Sequence, residues 1–190
     1  MTITPTALPE VLLIQPNKFE DKRGWFMESF RKDLLEKAVG HAIHFCQDNQ
    51  AQSTHGVIRG LHYQMPPHDQ SKLVSVLQGK VLDVVVDIRK GSPQFGKHLA
   101  VELSSENQKQ LFIPRGFAHG YACLSETTLL AYKVDHYYNK ASEASIAFDD
   151  PQLTIDWRIP MDKQILSSKD RQHPTFDTAK WFNFNTPLYD

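Results

Sequence analysis

Apolar residues in this chain come in short runs, many alternating with polar ones, and Gly, Pro, Asn and Ser interrupt them at close intervals. β-Branched and aromatic side chains fill the runs, which suits pleated, half-buried strands. The pattern predicts strands over residues 11–14, 73–77, 81–88, 98–103, 110–113, 127–138 and 145–148. The 56–64 and 113–121 segments also have strand-like composition. Between residues 77 and 81, Gln78-Gly79-Lys80 reads as a tight turn. Helical periodicity is confined to Lys32–Val39, where Leu34, Leu35 and Ala38 share a face and Gly40 follows as a C-terminal cap. Short helical turns are expected around residues 105–109 and after Leu166. So many short strands with so little helix predict a mainly β chain, a sandwich or jelly roll. With no repeat and no low-complexity linker, the 190 residues read as one domain able to bury a substantial core.

Polar residues interrupt this pattern in an informative way. Alternation in residues 81–88 puts Asp83 and Asp87 on the face shared by Val81 and Val85, and His62 and Gln64 on the face of Gly60. Such a face either meets water or lines a polar interior, and period alone leaves both open.

Composition narrows the function classes. An apolar fraction of 41% and a charged fraction of 23% are ordinary for a soluble globular protein. A net charge of −1 argues against a nucleic-acid binder, although local basic clusters can hold a small anion. Cys46 and Cys123 lack metal-type spacing and read as reduced and buried, which favours a reducing compartment. The N-terminal apolar run at 11–14 is too short for a secretory core, and no stretch approaches the ~20 apolar residues of a membrane span. A cytoplasmic protein with no membrane partner is expected.

Two segments carry the candidate chemistry. One runs from Gly56 through Arg59, Gly60 and His62 to Gln64, followed by Lys72; the other runs from Ile113 through Pro114, Arg115 and His119 to Tyr121. Either histidine alone reads as a hydrogen-bonded structural residue. Together, with carboxylates on neighbouring strands, they are the material of an enclosed acid–base site. Glycine-flanked histidines in a jelly roll invite comparison with the cupins, whose first motif supplies two His and a Glu. Here Gln64 stands two residues after His62, and an amide is a poor ligand for a transition metal. Lys72 adds a repelling cation, and His119 brings the imidazoles only to two. The expectation is a cupin-type frame with no metal and no cofactor.

In its motifs the chain resembles the dTDP-4-dehydrorhamnose 3,5-epimerase family over nearly its whole length. The matching stretches are Arg23-Gly24-Trp25-Phe26-Met27-Glu28-Ser29-Phe30, Gln47-Asp48-Asn49, and Gly56 to Gln64 with Pro66-Pro67 and Gln70. Further matches are Asp83, Val86-Asp87-Ile88-Arg89, Ser92-Pro93, Phe95-Gly96, Ile113 to Gly120 and Tyr132-Lys133. Tyr137-Tyr138, Asp149-Asp150-Pro151 and Leu166-Ser167-Ser168-Lys169-Asp170 complete the set. Their shared order and spacing carry the specificity. The resemblance implies a cofactor-independent, cupin-like homodimer that inverts carbons 3 and 5 of a dTDP-linked 4-keto-6-deoxyhexose. A single-carbon epimerase and a non-catalytic sugar-nucleotide-binding jelly roll are the alternatives.

The same resemblance assigns roles. Inversion beside a ketone needs a base on one face, an acid on the other and a group that holds the enolate oxygen. His62 suits the base, since imidazole titrates near the working pH; the family pairs it with an acidic residue at the position of Asp170. Lys72 faces the carbonyl, where a fixed cation favours developing negative charge, and Tyr132 is the matched acid. His119 with Asp83 forms a second His–carboxylate pair within the site. Arg23 and Arg59 match positions that bind the diphosphate or sugar. Glu28, Gln47 and Asn49 match polar contacts to the thymidine and its neighbours, and Phe26 lies in the first matching stretch as a further substrate contact. Tyr138 matches an aromatic that stacks on thymine, while Glu143 and Lys169 match further ligand contacts.

Overall fold

The computed structural model describes residues 1–189. The chain opens with β1 (Thr2–Pro5) and β2 (Leu12–Gln15), then a separate hairpin of β3 (Lys18–Asp21) and β4 (Gly24–Met27). Helix α1 (Lys32–Val39) follows, then β5 (Gln47–Thr54), β6 (Ile58–Gln64), β7 (Lys72–Gln78) and β8 (Lys80–Asp87). Next come β9 (Arg89–Lys90), β10 (His98–Ser104), β11 (Gln110–Ile113), β12 (Phe117–Cys123) and β13 (Thr127–Val134). The last strands are β14 (Glu143–Ser145) and β15 (Phe182–Asn183).

Two antiparallel sheets face each other, one ordered β1-β2-β11-β7-β13-β5 and the other β10-β8-β12-β6-β14. This is the expected jelly-roll architecture. The turn at Gly79 falls where the sequence predicts it, but it carries the chain from one sheet into the other, since β7 and β8 lie in different sheets. Val74, Leu111 and Leu130 from the six-stranded sheet meet Val81, Val85 and Phe117 from the five-stranded one to form the inner core. Behind the five-stranded sheet, Leu82, Val84 and Val86 pack against Trp157, Phe176 and Phe182 of the C-terminal region. Strand β8 is therefore buried on both faces, which explains its nearly continuous apolar run. Helix α1 covers the outside of the six-stranded sheet through Leu35, packed with Leu12, Ile14, Leu73 and Phe112. Gly40 ends the helix in the left-handed region at φ 82°, and its N–H donates to the carbonyl of Glu36 at 2.9 Å.

Three departures from the sequence pattern have local causes. Strand β5 reads QDNQAQST, too polar for an alternation signal, because it is a sheet edge that pairs only with β13. Strand β13 ends at Val134 rather than at residue 138; the Asp135 carboxylate instead takes the Ser71 N–H at 2.6 Å and the Arg115 side chain at 3.1 Å. The short β14 starts and stops earlier than the predicted 145–148 segment. Cys123 is buried as expected, but Cys46 is exposed, since it lies just outside the β5 edge.

Glycines set one feature of the inner face. Between β6 and β12 the register shifts: His119 lies opposite His62, and Tyr121 lies opposite Arg59. Strand β6 thus holds one extra residue, a bulge. Gly60 sits there at φ 141°, where a Cβ would come within 2.5 Å of the Gly120 Cα. Only two glycines allow this approach.

Candidate active site

Between the two sheets lies a cavity of about 370 Å³. His62 enters it from β6, Lys72 from the start of β7 and Tyr132 from the middle of β13. Gln47 and Asn49 of β5 line it as well, with Tyr138 and Glu143. His62 therefore belongs to the five-stranded sheet, whereas Lys72 and Tyr132 belong to the six-stranded one.

His62 Nε2 lies 2.7 Å from Asp170 Oδ1, across 108 residues of sequence. The second oxygen of Asp170 accepts from the Ser167 hydroxyl at 2.6 Å, and the Asp170 N–H donates back to that hydroxyl at 3.1 Å. Burial pushes the Asp170 carboxyl up, but the hydrogen bonds from His62 and Ser167 outweigh it and hold the group at about 2. An ionised Asp170 fixes the proton of neutral His62 on Nε2. Nδ1 is left with its lone pair.

Lys72 is buried, and its ammonium donates to the His62 carbonyl at 3.3 Å. Desolvation lowers it to about 8, against an opposing pull from Asp83. Asp83 is fully buried and binds His119 Nε2 through both oxygens, at 2.9 and 3.0 Å. Burial nevertheless drives His119 below its ordinary value, outweighing the Asp83 charge, so His119 favours its neutral form. This settles the open question about the alternating acidic residues of β8. Asp83 faces the inner side, and Asp87 is consumed by Arg89 and Ser92 at 2.7 Å each. The Tyr132 phenol is pushed up by burial and by Tyr121, with Arg59 opposing, and it stays protonated.

The rim is built from polar contacts. The Tyr138 hydroxyl donates to Glu143 at 3.1 Å, and Glu143 pairs with Lys169 at 2.5 Å. Gln47 accepts from the Tyr138 N–H at 3.3 Å and donates to Asn49 at 2.8 Å. Arg59 is exposed and donates to Ser53 Oγ at 3.2 Å, close enough to Tyr132 to act on its phenol. The bulge thus brings Arg59 and His62, three residues apart, to the same side.

Arg23 and Phe26 lie apart from these residues, and Glu28 does not line the cavity either, although its neighbours Met27 and Ser29 line a second pocket with Asn49 and Tyr132. Arg23, with its side chain 84% exposed, pairs with Asp21 at 2.6 Å. Together with exposed Phe26 it lines a depression formed by the β3–β4 hairpin itself. Glu28 pairs with Arg31 at 3.3 Å.

In the sequence Gln64 reads as a poor metal ligand on the face of His62, with no partner of its own. Its amide is in fact occupied: Nε2 donates to the His68 and Tyr137 carbonyls, and Oε1 accepts from the Asn139 N–H at 2.6 Å. It ties two loops together beside the cavity. Ser167 lies in the matching Leu166–Asp170 stretch with no role assigned to it there, yet its hydroxyl holds the second Asp170 oxygen. His173, whose ring lies 5.2 Å from that of His62, gave no signal at all.

A family model described as dTDP-4-dehydrorhamnose 3,5-epimerase matches residues 5–178. The dTDP-4-dehydrorhamnose 3,5-epimerase of Shigella flexneri is 47% identical over 182 residues, covering 96% of this chain and 99% of the relative. A crystal structure of the enzyme of that name from Elizabethkingia anophelis superposes with a TM-score of 0.90 at 48% identity, covering 93% of this chain and 97% of the other. The Legionella pneumophila dTDP-6-deoxy-D-glucose-3,5-epimerase, in complex with dTDP-4-keto-L-rhamnose, gives a TM-score of 0.92 at 44% identity, with 97% and 99% covered. A jelly roll whose facing sheets bring a His–Asp pair, a buried lysine and a protonated tyrosine to one cavity, and whose sequence matches at this level throughout, belongs to the dTDP-4-dehydrorhamnose 3,5-epimerase family.

Proposed function

We propose that this protein inverts carbons 3 and 5 of dTDP-4-dehydro-6-deoxy-D-glucose to give dTDP-4-dehydro-L-rhamnose, without a cofactor. The observation that carries the reading is the origin of His62 and Tyr132 on opposite sheets lining one cavity. A sugar ring held between the sheets meets a base on one face and an acid on the other. His62 Nδ1 takes the proton from the carbon beside the ketone, and Asp170 stabilises the imidazolium that forms. The electron pair moves onto the C4 oxygen, where the Lys72 ammonium offsets the charge in a water-poor cavity. Tyr132 then donates its proton to the opposite face, and the ketone re-forms inverted. Both carbons flank the same carbonyl, so one set of residues serves both. The neutral His119, oriented by Asp83, supports binding near Lys72.

For the nucleotide, Gln47, Asn49 and Tyr138 form a polar rim with one exposed aromatic ring, suited to a thymine base, and Arg59 supplies a guanidinium for phosphate oxygens. Glu143 and Lys169 close the rim. Arg23 and Phe26 stand on the β3–β4 hairpin and line a separate depression there. We assign them to a second copy of the chain, in a homodimer where each hairpin lends Arg23 and Phe26 to its partner's site. The exposed aromatics Phe19, Trp25 and Phe26 support that assignment, being apolar surface that a partner would cover. A cytoplasmic setting follows from the same reading, and no nucleic acid or membrane takes part.

The test is conversion in deuterated water. Two labelled carbons per turnover are expected; one label would identify a single-carbon epimerase, and none would leave only a binding protein. Tyr132→Phe sharpens it, because enolate formation needs only His62 and Lys72. The variant should still exchange substrate hydrogens while net inversion falls much further, both read by NMR. Equal loss of exchange and inversion would remove Tyr132 from the role of opposite-face acid.

A further inference from the structure

We propose that His62, Asp170 and His173 form a latent site for a late first-row divalent cation, zinc foremost, whose occupation switches the catalytic base off. The starting point is His173, which the epimerisation described above does not use. Its side chain is only 4% exposed, and neither ring nitrogen makes a hydrogen bond of ordinary geometry among the described residues, its one backbone contact being a weak one to Ile146. A buried imidazole left this way is only partly compensated for its desolvation and calls for an explanation. His173 Nε2 is aimed at the catalytic pair, 3.6 Å from Asp170 Oδ1. The ligand atoms of His62, Asp170 and His173 all lie within 4.8 Å of one another.

The donor set suits the ion. Two imidazoles and one carboxylate leaving a fourth position open is a common zinc arrangement. Zinc bonds of about 2.0–2.1 Å put tetrahedral ligands roughly 3.3 Å apart. The His62–Asp170 separation of 2.7 Å must open slightly, while the His173–Asp170 separation of 3.6 Å already fits. Asp170 and His173 are three residues apart around the short 3-10 turn Asp170–Gln172, so the backbone brings both toward β6. The Asp170 carboxylate is already ionised, and as the metal takes His62 Nε2 the ring proton moves to Nδ1, which occupies the lone pair that the base needs. The His62 side chain is 34% exposed toward the cavity, which gives a hydrated ion a route in and a water its fourth position.

This site differs from the cupin metal site that the sequence argues against, because it uses neither Gln64 nor His119. It also predicts the opposite effect, since a metal on His62 blocks proton abstraction. The inference does not rest on the identity of the sugar, because metal binding is read directly.

The test uses the full-length chain, stripped with chelator and titrated with cobalt(II) and then zinc. One equivalent of cobalt should produce the intense visible absorption of a tetrahedral centre, and zinc should displace it. Zinc should inhibit epimerisation and chelator should restore it. His173→Phe keeps the ring volume without the donors, and His173→Gln provides a second variant should the first misfold, as judged by circular dichroism. Each folded variant should bind the metal at least ~10-fold more weakly, while its activity in the presence of chelator stays near that of the parent chain. Absence of a stoichiometric tetrahedral cobalt spectrum, or unchanged metal affinity in a folded His173 variant, overturns the proposal.

Discussion

Burial acts on Lys72 and Tyr132 in one chemical sense, favouring the neutral form of each. For Tyr132 that form is the useful one. For Lys72 it is the useless one, because only the ammonium offsets an enolate. With Lys72 held at about 8, the proton is lost as the pH rises through that value, and kcat/KM should fall on the alkaline side of about 8. The same shift burdens the fold. The folded group titrates below the unfolded value of 10.5, so the penalty of a buried ammonium is complete below about 8 and disappears above 10.5. Lys72→Met should therefore stabilise the protein by about 1–3 kcal/mol at pH 7 while nearly abolishing epimerisation. Thermal melts should show the variant's advantage shrinking between pH 8 and 10.5, the interval that the shift defines. An advantage that does not vary with pH would mean that Lys72 is not a strained cation in the parent chain.

At the level of elements, the β6 bulge sets the face on which the site is built. Regular alternation would put Arg59 and His62 on opposite faces of the strand, and the extra residue brings them together. Gly60→Ala attacks this directly, since the new Cβ would lie 2.5 Å from the Gly120 Cα at a φ of 141°. A loss of about 1–3 kcal/mol is expected, with kcat falling beyond what the lost stability explains. Gly40→Ala is the control. It carries similar backbone strain at φ 82°, but its Cβ meets nothing within 4 Å, at a helix end outside the cavity. That variant should lose stability and keep its kinetics. If both variants keep normal kinetics, the bulge does not hold the site. Helix α1 and its Gly40 cap were legible in the sequence because both are local features. The bulge was not, since it exists only as a mismatch between two strands far apart in the chain.

For the whole molecule, the position of Arg23 and Phe26 outside the His62 cavity makes a test of assembly. In a homodimer that exchanges hairpins, a mixed dimer of one Arg23→Ala chain and one His62→Ala chain keeps one intact site. Random assembly then restores roughly a quarter of the parent sites, although either variant alone is nearly inactive. Mixing the two variants under exchange conditions, with sedimentation to confirm the dimer, checks this. No recovery in a mixed dimer would assign Arg23 to its own chain's site or to none.

The sequence by itself determined the fold class, the helix, most strand locations and the residue types of the acid–base set. Each of these rests on local periodicity or on short motifs in order. The His62–Asp170 pair was legible only through the motif resemblance, and the sequence did not determine the use of both Asp83 oxygens by His119, the loss of Gln64 to loop backbone, or the approach of His173. These depend on which faces meet when two sheets close, and on one inserted residue that shifts the phase of a strand. Alternation along β8 states only that Asp83 shares a side with Val85. Whether that side meets water or an enclosed cavity was decided by the opposite sheet, because burial is a property of the packed pair of sheets rather than of either strand.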